Sequence, residues 1–411
     1  MKTLSYLSIL FFFSYSTLAE NWPRFRGLQG QGKSQSSLPA KLSKSNLTWS
    51  AKLSGGGSSS PVIWGNKLFI MAENKGTNIN LYCFDTSNGK ELWSKELNTG
   101  DYHTHKFNNQ AASTPSLTAK EVIVTWYDAS KQKGMLGVFD HSGKKLWEIE
   151  LGSFKGKHGF TINTNNSSGK VIVSHLHQGE SYVGAFDIKN GKNLWKVKCP
   201  SEDVSYSTPL IRNLENGKKE VIVTGPSIGM KSIDFETGKL KWQLKKAHDM
   251  RTVGSPFEVK VKGETYLTAS QKNKEYTAVK LSKDSNAPGT IHWHERKIGA
   301  YVPTHMVIDN RLFILQDNGA LTEYDFLNKK RIQQIRLSGN CYSSPILIQN
   351  KLYCVTRDGK LDVVSVASGQ LKKEYTLDLN PPEDTIWVDS TPAVTNNQLF
   401  IRIGNRLDCY K

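Results

Sequence analysis

The chain is short of cysteine: 411 residues hold five, at Cys83, Cys199, Cys341, Cys354 and Cys409. None is adjacent to another and none belongs to a C-x-x-C-H haem motif. Their scatter excludes the dense disulfide framework of small secreted domains. They read as small buried apolar side chains, at least one of them free or bonded between molecules because the number is odd. Helical periodicity of useful length is missing beyond residue 19, and so is any apolar run long enough to cross a bilayer. No acidic cluster offers a calcium cage. No Ser-His-Asp or Cys-His set can be assembled from residue order, and no aromatic and arginine groove suggests nucleic acid.

What stands at the front is an export signal. "MKTLSYLSILFFFSYSTLAEN" has a basic start at Lys2, an apolar core from Leu7 to Phe13 and small residues at Thr17 and Ala19. This pattern predicts a signal peptide over residues 1–19, cleaved after Ala19, and a soluble periplasmic or extracellular protein without a transmembrane segment. No cysteine follows the cleavage point, so lipid anchoring is not expected. Residues 20–45 form an N-terminal extension, and residues 46–411 are repetitive.

The net charge is +17. Its excess lies in Gly-Lys turns and outer strands (Lys90, Lys144, Lys145, Lys192, Lys239, Lys329, Lys330, Lys372 and Lys373), while the loops between units are near neutral. Such a distribution is a basic periphery, suited to a solvated rim or to approaching anionic envelope polymers.

A Ser or Thr before proline opens most units: "SSSPVI" at Pro61, "ASTPSL" at Pro115, "YSTPLI" at Pro209, "VGSPFE" at Pro256, "YSSPIL" at Pro345 and "DSTPAV" at Pro392. "YVPTHM" at Pro303 is a weaker copy, and "HGFTINTNNSSGKVIVSH" has lost its proline. The prolines are separated by 54, 94, 47, 47, 42 and 47 residues, which makes seven steps of about 47. Inside each unit a short apolar run leads to a turn, a second run such as "KLFIMA" or "EVIVTW", and a third ending in aspartate. A Gly-Lys turn and a run with Leu-Trp or Lys-Trp complete it. Each run is a β-strand by length and composition.

Four antiparallel strands repeated at this period predict a β-propeller, because one blade cannot cover both of its faces unless neighbours stack on it. The fourth-strand tryptophans (Trp93, Trp147, Trp195, Trp242 and Trp293) suit the gap between blades. The turn glycines (Gly89, Gly143, Gly191, Gly238 and Gly369) supply the positive φ of a hairpin. Seven full units are followed by an eighth with three strands, "STPAVTNNQLFIRIGNRLDCYK". Its missing strand is the orphan "NLTWSAKL" at 46–53, so the expectation is an all-β, eight-bladed propeller closed three plus one by its N-terminal strand.

The "D-x-x-x-G-K-x-x-W" pattern at Asp85–Trp93, Asp187–Trp195 and Asp234–Trp242 resembles the pyrroloquinoline-quinone-like (PQQ-like) propeller repeat. "NWPRFRGLQGQGKS" also resembles the opening of many exported propellers of that superfamily. The resemblance covers nearly all of the chain after the signal. It is similar to the propeller lipoprotein of the outer-membrane β-barrel assembly machinery, with a different "WPRFRG" segment and no lipobox cysteine. It implies either a non-catalytic scaffold, binding a protein or a cell-envelope polymer through loops on one face, or a quinone- or metal-dependent oxidoreductase. The scaffold is the better match: the vicinal cysteines and calcium ligands of quinoprotein dehydrogenases have no counterpart here, and neither quinone nor calcium is expected as a cofactor.

A propeller binds at its channel mouth. The longest loop between units, Asn98–Ala111, carries His103, His105, Asn108, Asn109 and Gln110 towards that rim. His158, His248 and Arg251 come from the next loops, and Tyr301, Tyr342 and Trp387 precede later blades. His103, His105 and His158 are the candidate metal ligands, since alternate residues of an extended segment share a side. Their plainer role is hydrogen bonding within a polar loop. His175 and His177, and His292 and His294, read as polar strand faces.

Overall fold

The computed structural model describes residues 20–74, 78–367 and 369–411; the predicted signal segment lies outside them. Among the described residues the strands form eight sheets, seven of four strands and one of five. Blade 1 contains Val62–Trp64, Lys67–Asn74, Asn78–Asp85 and Glu91–Asn98 from the axis outwards. Blades 2 to 7 repeat that order. Blade 8 contains Ala393–Thr395, Gln398–Ile403 and Arg406–Tyr410, and its outer strand is Leu47–Lys52. The closing pair is antiparallel, with Trp49 opposite Cys409 and Ala51 opposite Leu407. The three-plus-one closure therefore joins the two ends of the repeat.

Burial follows strand position. The second strand of blade 1 is buried from Leu68 to Ala72 without alternation, because neighbouring blades cover both of its faces. The outer strand Leu47–Lys52 alternates, with Trp49 and Ala51 inward. All five cysteines are buried and unpaired.

The tryptophans and the turn glycines turn out to be partners. The indole N–H of Trp49, Trp93, Trp147, Trp195 and Trp293 donates to a carbonyl of the next blade, on Thr86, His141, Ile188, Phe235 and Phe326 respectively. In four of these junctions a glycine lies under the ring: a Cβ on Gly89, Gly143, Gly191 or Gly238 would meet the indole at 2.5–2.8 Å. Positive φ and close approach thus demand glycine together.

The Ser/Thr-Pro signature has a structural cause as well. The backbone N–H of Ser60 donates to Thr114 Oγ1, that of Thr114 to Asn163 Oδ1, that of Thr208 to Ser255 Oγ and that of Ser255 to Thr304 Oγ1. Thr304, Ser344 and Thr391 continue to Ser344, Thr391 and Ser60, closing the circle. Only the link from Asn163 to Thr208 is missing, in the unit that lost its proline, and among the described residues the buried Thr208 Oγ1 has no partner. The circle also corrects the register of the sixth unit. There the repeat is carried by Thr304, 49 residues after Ser255 and 40 before Ser344. His305 stands where six other units have proline, and Pro303 lies two positions early.

Residues 20–45 are a strap across the end of the channel reached by the C-terminal ends of the inner strands. Trp22 bridges Ile63 of blade 1, and the Pro23 carbonyl accepts from Leu117 N–H of blade 2. Lys33–Ser34 add a parallel fifth strand to Ile346–Ile348 of blade 7. Arg26, 1 % exposed, anchors the crossing. It donates to the carbonyls of Gly30, Gln31, Thr304, His305 and Pro345, using all five of its N–H donors.

Candidate functional site

With the strap closing one end, the channel opens at the other, where the loops between blades meet those between second and third strands. The cavity inside this mouth holds about 190 Å³. The hydroxyl and amide circle lines its wall, with Ser60, Thr114, Asn163, Ser255, Ser344 and Thr391, and Phe25 of the strap reaches it from below.

The rim is aromatic and its charges are paired. Arg357, from the loop before Lys360–Ser365, is buried and makes a two-point ion pair with Asp389 at 2.7 and 2.9 Å. Its guanidinium lies 3.8 Å from the ring centre of Tyr342, 4.1 Å from Trp387 and 5.2 Å from Phe107. Burial raises the Asp389 pKa, and Arg357 opposes that shift. Phe107 and Trp387 are each 41 % exposed and Ile386 is 76 % exposed, so this corner of the mouth presents an apolar surface around a fixed cation.

Across the mouth Arg251 donates to Asp203 at 2.6 Å and to the Tyr301 hydroxyl at 3.1 Å. The Tyr301 and Val302 N–H groups hold Asp317. The His105 and His158 rings meet at a tilt of 44° with centres 4.4 Å apart, and Asn108 donates to the His158 carbonyl at 2.7 Å. Burial, helped by Arg251 and His105, lowers the His158 pKa to about 4, so the ring is neutral at physiological pH.

The residues singled out from sequence therefore separate. His105, His158, Arg251, Tyr301, Tyr342 and Trp387 meet at the rim. His103 is exposed on its loop. Asn109 exchanges hydrogen bonds with Ser58, and Gln110 bonds Glu73 and Gly100; both brace the loop. His248, on the loop from blade 4 to blade 5, is buried, and among the described residues neither of its ring nitrogens has a hydrogen-bond partner. Phe107, Arg357 and Asp389, and Tyr206 in the cavity wall, were not foreseen. The Arg in "VTRDGK" reads as a turn residue, and only its position in the seventh blade aims it at the axis.

A quinone with calcium would need a carboxylate and amide ligand set beside a flat slot. Among the described residues no three His, Cys, Asp or Glu side chains are placed to share a metal ion, and the one carboxylate in the cavity lining, Asp389, is taken by Arg357. The cavity is also smaller than the roughly 300 Å³ lower bound of typical small-molecule sites. These residues do not fit that group.

No curated protein matches the sequence. The family model described as outer membrane protein assembly factor BamB matches residues 40–174 and 129–335. Among solved structures, the chain is similar to BamB from Moraxella catarrhalis at 14% identity and a TM-score of 0.60, over 89% of this chain and 97% of that one. A europium-containing methanol dehydrogenase aligns at 13% identity and 0.66, over 94% and 90%. A quinohemoprotein alcohol dehydrogenase from Comamonas testosteroni aligns at 12% and 0.65, over 95% and 80%. At such identities the structural likeness is one of fold, which scaffolds and dehydrogenases share.

Proposed function

The chain belongs to the family described as outer membrane protein assembly factor BamB, and from that premise we propose that it is an exported, non-catalytic binding scaffold whose protein partner docks on the channel mouth. The observation that carries the reading is the rim cluster of Phe107, Tyr342 and Trp387 around Arg357. Trp, Tyr and Arg dominate binding hot spots, and here they sit beside exposed Ile386. Arg357 and Arg251 are already held by Asp389 and Asp203, so at these two positions the rim offers area and shape rather than a free charge. The basic periphery favours approach to an anionic envelope surface. No helix among the described residues is long and apolar enough to cross a membrane.

The test is a crosslinking comparison in an envelope fraction, with a photoreactive side chain at Ile386. A partner crosslinked by the native rim and lost with Trp387→Ala and Phe107→Ala supports the docking site. Equal crosslinking by the variants overturns it. Titration with pyrroloquinoline quinone and calcium separates the alternative: saturable binding with dye-linked turnover would make the protein an oxidoreductase.

A further inference from the structure

Arg24 and Arg26 are two residues apart in the strap, both carry buried guanidinium groups, and they are used differently. Arg26 is saturated by five carbonyl contacts. Arg24 donates only through Nε, to the Leu28 carbonyl at 3.2 Å. Among the described residues its two Nη atoms have no hydrogen-bond partner and it has no ion pair, although the residue is only 8 % exposed. Burial alone lowers its pKa, to about 10, so the side chain remains charged at neutral pH. The Nη atoms are not sealed from solvent, and a guanidinium so largely desolvated with no anion beside it is a ready partner for one.

The surroundings give room for a ligand. Arg24 stands on the shared wall of two cavities of about 420 and 410 Å³ between the strap and blades 1 to 5, each within the size range of small-molecule sites. Asn165, Asn166 and Leu28 line both. The neighbouring cation, Arg212, is paired with Glu220 and Glu258; among the described residues lining the two cavities, Arg24 is the one cation and Glu121 the one carboxylate outside an ion pair. Trp64, Leu117 and Ile188 add apolar surface on one side.

We infer that this underside groove is a second binding site, distinct from the mouth, which takes an organic oxyanion, its carboxylate or phosphate group on the Nη atoms of Arg24 and its apolar body along the wall. A guanidinium fork suits such planar or tetrahedral anions.

Calorimetric titration of the full chain at fixed ionic strength tests this, with hexanoate, hexyl phosphate and hexanol as probes. Saturable binding of either anion, without binding of hexanol, is the expected result, and the stronger anion identifies the headgroup chemistry. Arg24→Gln should weaken that binding at least about tenfold, the weight of a charge-assisted hydrogen bond, while its ligand-free melting temperature stays level or rises. No saturable binding by either anion, or equal affinity in Arg24→Gln, overturns the site. Should Arg24→Gln fail to fold, native crystals soaked in selenate decide. An anomalous peak within hydrogen-bond reach of the Arg24 Nη atoms supports the site, and a groove left empty at saturating selenate rejects it.

Discussion

The indole of Trp49 packs on Gly89 and gives its N–H to the Thr86 carbonyl at 3.0 Å, so the N-terminal strand locks blade 8 onto blade 1 by the same contact that Trp93 makes with Gly143 one blade later. A Cβ on Gly89 would sit 2.5 Å from the ring, whereas one on Gly369 would meet none of the described residues within 4 Å. Both have φ near 75°. Gly369→Ala should therefore cost only the backbone strain of about 1–2 kcal/mol, and Gly89→Ala should add an overpacking cost of about 1–3 kcal/mol. Denaturant unfolding of the two variants measures the difference. Equal losses would mean that the indole does not press on the turn.

The circle of hydroxyls makes a paired prediction. Thr391 Oγ1 accepts the buried Ser344 N–H, and Thr391→Val leaves that donor orphaned at a cost of about 1–3 kcal/mol. Thr208 Oγ1 has no partner among the described residues. Thr208→Val keeps its N–H bond to Ser255 and should be neutral or stabilising. A large loss at Thr208 would show that its hydroxyl is satisfied by water.

These two contacts also mark what could be read from the chain alone. Repeat number, strand order and closure were legible because each is written many times in phase: a misread at one unit is corrected by the other seven. Pro303 was misleading for that reason, since the signal followed there was the proline and the residue that matters is the hydroxyl, Thr304. The strap was opaque. Its path depends on single carbonyls of blades 5, 6 and 7 that accept from Gln31 and Arg26, and on left-handed Arg26, Gly27, Gly30 and Gly32, none of which produces a period. The rim was half legible: loop position brought out Tyr301, Tyr342 and Trp387. Arg357 and Asp389 pair across 32 residues, which only the fold brings together.

Buried histidines set an acid limit on stability. Burial, with His294 adding to it and Asp249 opposing, lowers the His248 pKa to about 3, and burial beside His177 lowers that of His175 to about 3. A folded-state pKa below the unfolded value means that the unfolded chain binds the proton more readily. The stability is full above pH 6.5 and is lost as pH falls towards 3. Each of the two should cost about 2 kcal/mol by pH 5. Melting temperature measured between pH 7 and 4 checks this. His248→Leu, which removes a ring with no hydrogen-bond partner, should flatten the profile; an unchanged slope would assign the acid loss to other groups.

Closure itself is tested most cleanly by moving the strand rather than deleting it. The two ends of the closing pair already meet: Lys411 N–H donates to the Asn46 carbonyl at 2.9 Å, and the Asn46 side chain returns a bond to the Lys411 carbonyl at 2.9 Å. A two-residue Asn-Gly turn would join them as a hairpin. In a circular permutant that begins at Ser54 and ends at Leu53 by this junction, blade 8 keeps four strands and only the strap is lost. A truncated chain, Ser54 to Lys411, lacks the strap and also the strand. Arg406–Tyr410 then becomes an open edge, and the cover of Trp49 over Gly89 disappears. The permutant should fold and melt below the intact protein by the worth of the strap contacts of Trp22 and Arg26. The truncation should lose more than the about 3–5 kcal/mol expected of Trp49→Ala alone and should associate through its free edge. If the two melted together, the N-terminal strand would be a passenger on a ring held shut by its neighbours.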